Sequence, residues 1–122
     1  MRKIDIQSAT TKDLVSLYER AATEHGHGMM QGTPKETNRA ADTIAAIYRE
    51  LRDRGDQSRQ AILPLLLSDN QSVRGWAGAH ALEFSPEQGR AILEALAKDK
   101  GLVAFSAKMT LRVWAEGRLR FP

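Results

Sequence analysis

The sequence predicts an all-α fold, an α/α superhelix of about six helices wound as a right-handed solenoid. Three observations predict it: apolar residues recur at three- and four-residue steps, capping signatures punctuate the chain, and a thirty-residue segment is repeated. No stretch alternates with period two for long enough to argue for a strand. At 122 residues the chain is one domain, long enough to bury roughly two-thirds of its unfolded surface without disulfide or metal staples.

The helices follow in order. Thr10 with Asp13 opens the first, whose stripe is Leu14, Leu17, Tyr18, Ala21 and Ala22, and the Gly-rich stretch His25-Gly26-His27-Gly28 is expected to end it. Thr33-Pro34-Lys35-Glu36 opens the second as a capping box with proline at the first helical position. Ala40, Ala41, Ile44, Ile47, Tyr48 and Leu51 trace its buried side, and Gly55 stops it. Residues 10–55 thus form an N-terminal helical pair.

Ala61-Ile62-Leu63-Pro64-Leu65-Leu66-Leu67 is apolar all round, so it reads as a helix sandwiched between neighbours, with Pro64 kinking it or marking its first turn. Ser68-Asp69-Asn70 breaks that run. The next helix carries Val73, Trp76, Ala77, His80, Ala81 and Phe84 on one face. Gly75, Gly78, Ala79 and Leu82 lie opposite, small enough to admit another helix. Ser85-Pro86-Glu87-Gln88 opens a fifth helix with Ala91, Ile92, Ala95 and Leu96 as its stripe, and a sixth runs from about Leu102 to Glu116 before Gly117.

A shift of thirty residues superposes Ala61-Ile62-Leu63 on Ala91-Ile92-Leu93, Leu66 on Leu96, Asp69 on Asp99, Val73 on Val103 and Ala77 on Ala107. These seven identities share one gapless register, at positions that face a core, and Phe84 falls on Trp114. Stacked helix pairs that bury their faces only against one another produce this pattern.

The unit at 57–84 resembles a HEAT-type repeat in its proline-bearing first helix, Asp-containing turn, Val73-Arg74 pair and Ala-rich second helix. The unit at 85–117 is a degenerate copy, with Ala104 in place of Arg74, and 118–122 reads as a basic tail. Over nearly its whole length the chain also resembles the bacterial family described as domain of unknown function 2019. Four segments carry that likeness: Thr11 to Val15, Arg49 to Gly55, Ala61 to Leu82, and Phe105 to Arg112. The resemblance implies a cytoplasmic bacterial protein of HEAT-like helical pairs with no assigned catalysis.

Composition excludes several classes. Without cysteine there is no disulfide framework, thiolate zinc site or thiol nucleophile. With 42% hydrophobic and 27% charged residues the chain is neither disordered nor collagen-like. No run approaches the ~18 apolar residues of a membrane span, and the basic start, Met1 to Ile6, has no apolar segment of a signal peptide behind it. The expected compartment is the cytoplasm, with no membrane partner.

Glu24, His25 and His27 are the one candidate metal cluster, but without a third His or Cys nearby they read as a solvated loop, and neither metal nor cofactor is expected. His80 lies among apolar neighbours with no legible nucleophile or orienting group, so a structural role is expected. Trp76 and Trp114, at helical spacing within apolar stripes, read as core rather than as ligand platforms. Asp69 and Arg74 are placed to tie the turn to the following helix, with Arg74 a candidate for facing the groove.

Charge is unevenly distributed. Residues 1–84 hold eleven basic and eleven acidic side chains, so the whole excess of +3 belongs to residues 85–122, with seven against four. Lys108 and Arg112, one turn apart, point away from Val103, Ala107, Leu111 and Trp114. The reading is a non-enzymatic protein-interaction module, of the immunity or regulatory kind, that binds an acidic protein surface through Arg74, Lys108, Arg112, Arg118 and Arg120. The alternative is weak nucleic-acid binding through the same basic face. As a particle the chain is expected to be a monomer or weak homodimer.

Overall fold

The computed structural model describes residues 5–122 and is all-helical, with six α-helices, one 3-10 helix and no strand among those residues. The basic start, Met1 to Ile4, on which the absence of a leader is judged, lies outside the described residues. Among the described residues no helix is long and apolar enough to cross a membrane.

Helix α1 spans Thr11–Gln31, and Thr10 caps it by accepting the Asp13 N–H at 3.1 Å. It does not end before His25. The helix runs through both glycines and stops at Gly32, whose φ of 68° is the left-handed conformation that closes a helix. Close packing explains why Gly26 and Gly28 do not break it. A Cβ on Gly26 would run into the Ser72 side chain, and one on Gly28 into the Thr37 hydroxyl. The residues that signal a loop by propensity are here the points of closest approach between helices.

Helix α2 spans Pro34–Asp53 and buries Ala40, Ile44, Ile47, Tyr48 and Leu51 against α1. Pro34 occupies the first turn as expected, but Thr33 makes no capping bond and its hydroxyl instead donates to the Gly28 carbonyl at 3.3 Å. Gly55, at φ 116°, turns the chain out of the helix.

The segment from Gln60 to Leu67 departs most from expectation. It is not one buried α-helix but a short α3 (Asp56–Gln60), a turn, and a 3-10 helix (Leu63–Leu67). Pro64 has no N–H to donate to residue 60 and its ring crowds that carbonyl, so an α-helix cannot pass through it undisturbed. Ile62, Leu65 and Leu66 are buried, whereas Leu67 is 85% exposed, so the run is not sandwiched on every side.

Helix α4 (Gln71–Phe84) is capped by Asn70, whose Oδ1 accepts the Ser72 and Val73 N–H groups at 2.9 and 3.1 Å. Helix α5 (Pro86–Ala97) lies so close to it that a Cβ on Gly89 would be 2.7 Å from the Gly78 carbonyl oxygen. Ser85 makes no capping bond. The buried stripe of α5 is Gly89, Leu93 and Leu96, and Ala91 and Ala95 are exposed; the approach to Gly78, where Leu93 is the contacting side chain, fixes that rotation. Helix α6 (Leu102–Ala115) completes the stack, burying Ala104 and Ala107.

One core joins α1, α2, the 3-10 segment and α4, and a smaller one joins Leu82, Leu93, Leu96 and Ala107. Trp76 packs half-buried on the first and Trp114 on the second, as core residues do. The segment after α6 is not a free tail. Leu119 packs on the smaller core and Phe121 on the larger, while the Arg52 guanidinium donates to the Phe121 and Pro122 carbonyls at 3.2 and 2.7 Å.

Candidate functional site

The most polar part of the interior surrounds His80. Its Nδ1 is hydrogen-bonded to the Tyr18 hydroxyl at 2.6 Å, the Tyr48 ring stacks on it at 3.9 Å and 8°, and Phe121 covers it at 4.6 Å. Burial, aided by the nearby Arg52 charge, pushes its pKa down to about 3, so the imidazole is neutral near pH 7. Tyr48 in turn donates to Glu83 at 2.5 Å, and Arg52 and Arg59 each reach the same carboxylate oxygen at 3.5 Å. Burial holds the Tyr18 and Tyr48 hydroxyls well above the usual phenol range, so both stay protonated. The centre is a closed hydrogen-bonded aromatic stack that ties α1, α2 and α4 together, in keeping with a structural role for His80.

The histidines at 25 and 27 stand on α1 and not in a loop. His25 packs edge-on against Trp76 at 5.0 Å, with its pKa lowered by burial, and His27 hydrogen-bonds Gln31 at 3.2 Å. No group of three His, Asp or Glu side chains suited to hold a metal ion occurs among the described residues.

The five candidate cations are not equivalent. Arg74 is half-buried and its Nη1 donates to the Ser68 carbonyl at 2.6 Å, so it fastens the turn before α4. Asp69 is exposed and is not its partner; the two turns are linked instead by Gln71, which donates to Asp99 at 3.1 Å. Arg118 pairs with Glu116, and Arg120 donates to the Gly117 and Leu119 carbonyls at 3.2 and 2.8 Å. Lys108 and Arg112 project from α6 into solvent, Arg112 only loosely paired to Glu116 at 3.9 Å.

Beside these two cations lies a feature that the sequence reasoning missed. Leu102, Phe105 and Met109 are 49%, 63% and 40% exposed, and at 100° per residue they share an arc of about 120° of α6 with Lys108 and Arg112. The apolar side chains take one edge of that arc and the cations the other. Single exposed hydrophobes are ordinary, but three in a row on one helix face form a patch of the kind found at interaction sites. The signal was present: α6 is apolar on both faces, and its inner stripe of Val103, Ala107, Leu111 and Trp114 leaves Phe105 and Met109 outside.

The family model described as "Domain of unknown function (DUF2019)" matches residues 12–114. The crystal structure of protein RPA1889 from Rhodopseudomonas palustris CGA009 is similar over 97% of this chain and 98% of that one, at 30% identity and a TM-score of 0.89. No curated protein matches the chain.

Proposed function

We propose, for a chain that belongs to the DUF2019 family, a non-catalytic role as a protein-interaction module of the bacterial cytoplasm. The face that binds is the outer side of α6, and the partner carries acidic groups around an apolar ridge. One observation carries the reading: Leu102, Phe105 and Met109 stand exposed in a row beside two cations that no strong ion pair neutralises. Burying three such side chains would contribute several kcal/mol of binding, and Lys108 and Arg112 would select the sign of the partner's charge.

The helix pairs before and after Ser85 are read as two HEAT-like units of a short superhelix. Supporting this are the thirty-residue register and the close approach at Gly78 and Gly89. In such a stack the last helix has a neighbour on one side only, which makes it a natural place for a partner. An immunity or regulatory protein, which acts by covering another protein's surface, fits a module of this size.

A photo-crosslinking residue at Phe105 or Met109, with a control at Lys35 on α2, tests the reading in the native host. A discrete protein adduct is expected from the two α6 positions and not from the control, and Lys108→Glu with Arg112→Glu should abolish it. Adducts of equal strength at all three positions, or none at α6, would remove the α6 face from consideration. Nuclease-sensitive adducts, with salt-dependent retention on duplex DNA, would instead favour the nucleic-acid reading of Lys108, Arg112, Arg118 and Arg120.

A further inference from the structure

Behind α6, on the side away from the proposed docking face, the helices leave a recess that is partly open to solvent. A cavity of about 170 Å³ lies between α1, α4, α6 and the segment after α6. Its residues on α4 fall at positions 72, 75, 76 and 79, and those on α6 at 103, 106, 107 and 110. Both sets repeat the i, i+3, i+4, i+7 spacing of a single helix face. Two helix faces aimed at each other ordinarily interdigitate and leave no such void.

Small side chains keep this one open. Gly75 and Ala79 on α4 look across at Ser106 and Ala107 on α6, and Trp76 is the large side chain that these two helices contribute to the lining. A methyl group added at Gly75 would meet Val103 at 3.6 Å, an ordinary van der Waals contact, so the glycine is not forced by a clash. Trp76 and Phe121 supply aromatic walls, and among the described residues no Asp, Glu, Lys or Arg lines the cavity.

The polar groups present are uncharged. His25, Ser72, Ser106 and Thr110 line the space, and no side chain of the four is hydrogen-bonded to another described residue. His25, held edge-on by Trp76, has its pKa lowered by burial, and a neutral imidazole offers one donor and one acceptor. An apolar cavity of about 150 Å³ takes up benzene in another protein, so this volume suits a single ring with one small substituent.

We propose that this cavity is a binding site for a small uncharged aromatic molecule bearing one hydroxyl or amino group, of the phenol class. The ring lies between Trp76 and Phe121, and its polar substituent exchanges hydrogen bonds with His25 and the α6 hydroxyls. Carboxylates are disfavoured because no cation among the described residues lines the site to receive them. The site is independent of the α6 outer face, and either can fail without the other.

Phenol, benzoate and cyclohexanol are the probes, read by melting temperature and by Trp76 fluorescence, with Trp114→Phe as the background so that one indole reports. Phenol at about ten times its Kd should raise the melting temperature by roughly 5 °C and shift the emission, and benzoate should do neither. Cyclohexanol should bind more weakly than phenol, since it lacks the aromatic face. Ala79→Leu and Ser106→Leu fill the cavity from opposite helices and should each abolish the response. Ser106 is exposed at the cavity's rim, so its variant remains informative even if the Ala79 variant fails to fold. The proposal is overturned if phenol leaves both signals unchanged, if benzoate matches it, or if Ser106→Leu responds like the parent protein.

Discussion

Residues 61–84 and 91–114 carry the same apolar skeleton in different surroundings. Leu66 and Leu96 are both buried, as are Ala77 and Ala107, so these two positions of the thirty-residue register behave alike. The outward positions do not. Pro64 corresponds to Glu94, and the first unit opens with a 3-10 helix where the second has the regular α5. Gly75 corresponds to Phe105: the glycine lies under α6, while the phenylalanine stands in solvent. His80, sealed in an aromatic stack, corresponds to Thr110 on a cavity wall. Divergence has gone where the neighbours differ. Helix α4 packs against α1, the 3-10 helix, α5 and α6, whereas α6 packs mainly on α5 and α4.

The strongest way to break the stack is at the seam between the units. Gly89→Ala places a methyl 2.7 Å from the Gly78 carbonyl oxygen and 2.8 Å from the Leu82 nitrogen, both backbone atoms that cannot rotate away. Urea unfolding should show a loss of about 3 kcal/mol. The shared skeleton predicts a similar loss, about 3 kcal/mol each, for Leu66→Ala and Leu96→Ala, and unequal losses would mean that one unit relaxes around its cavity better than the other.

Acid should separate the units by way of His80. In the unfolded chain this group titrates near its ordinary 6.5 but in the fold only near 3, so the unfolded state binds the proton first. Its contribution to stability is complete above about pH 6.5 and is lost as pH falls toward 3, with a slope approaching about 1.4 kcal/mol per pH unit. His80→Gln should flatten that slope, measured by denaturant midpoints across the window, whereas Thr110→Val should leave it intact.

Smaller effects sharpen the contrast further. Gly75→Ala should stabilise by about 0.7 kcal/mol, since the methyl meets only ordinary contacts and alanine is the better helix former. Leu67→Lys should change the denaturant midpoint by less than about 0.5 kcal/mol, although Leu66 beside it is among the costly positions.

The contrast between Leu66 and Leu67 also shows where a sequence stops being readable. Periodicity located α1, α2, α4, α5 and α6 because their stripes rest on a local rule, the 3.6-residue turn. It failed at Ala61 to Leu67, where an unbroken apolar run has no period and Pro64 decides the backbone. It failed again at His25 to Gly28, where the reason for two glycines lies on Ser72 and Thr37, far away in sequence or on the next helix. Of the candidate site, the exposure of Lys108 and Arg112 was legible from the inner stripe of α6. The same stripe leaves Phe105 and Met109 on the outer side, but that no other helix covers them was not legible, because it depends on how α6 packs against the other helices. Arg74, Arg118 and Arg120 looked equivalent to the other cations until their carbonyl and carboxylate partners were in place.

Those two glycines have a bearing on how the protein breathes. Each costs about 1 kcal/mol relative to alanine inside a helix, so the last turns of α1 are helical only because α2 and α4 rest on them. Native-state hydrogen exchange should therefore divide α1. Amides near Leu14 and Tyr18 should open only with the whole domain, and those from Gly26 to Gln31 should open together in a smaller, cheaper unit. That smaller unit carries Met29 and adjoins His25. One wall of the cavity is thus a segment whose folding is conditional, and a molecule bound there would show itself first as slowed exchange in the last turns of α1.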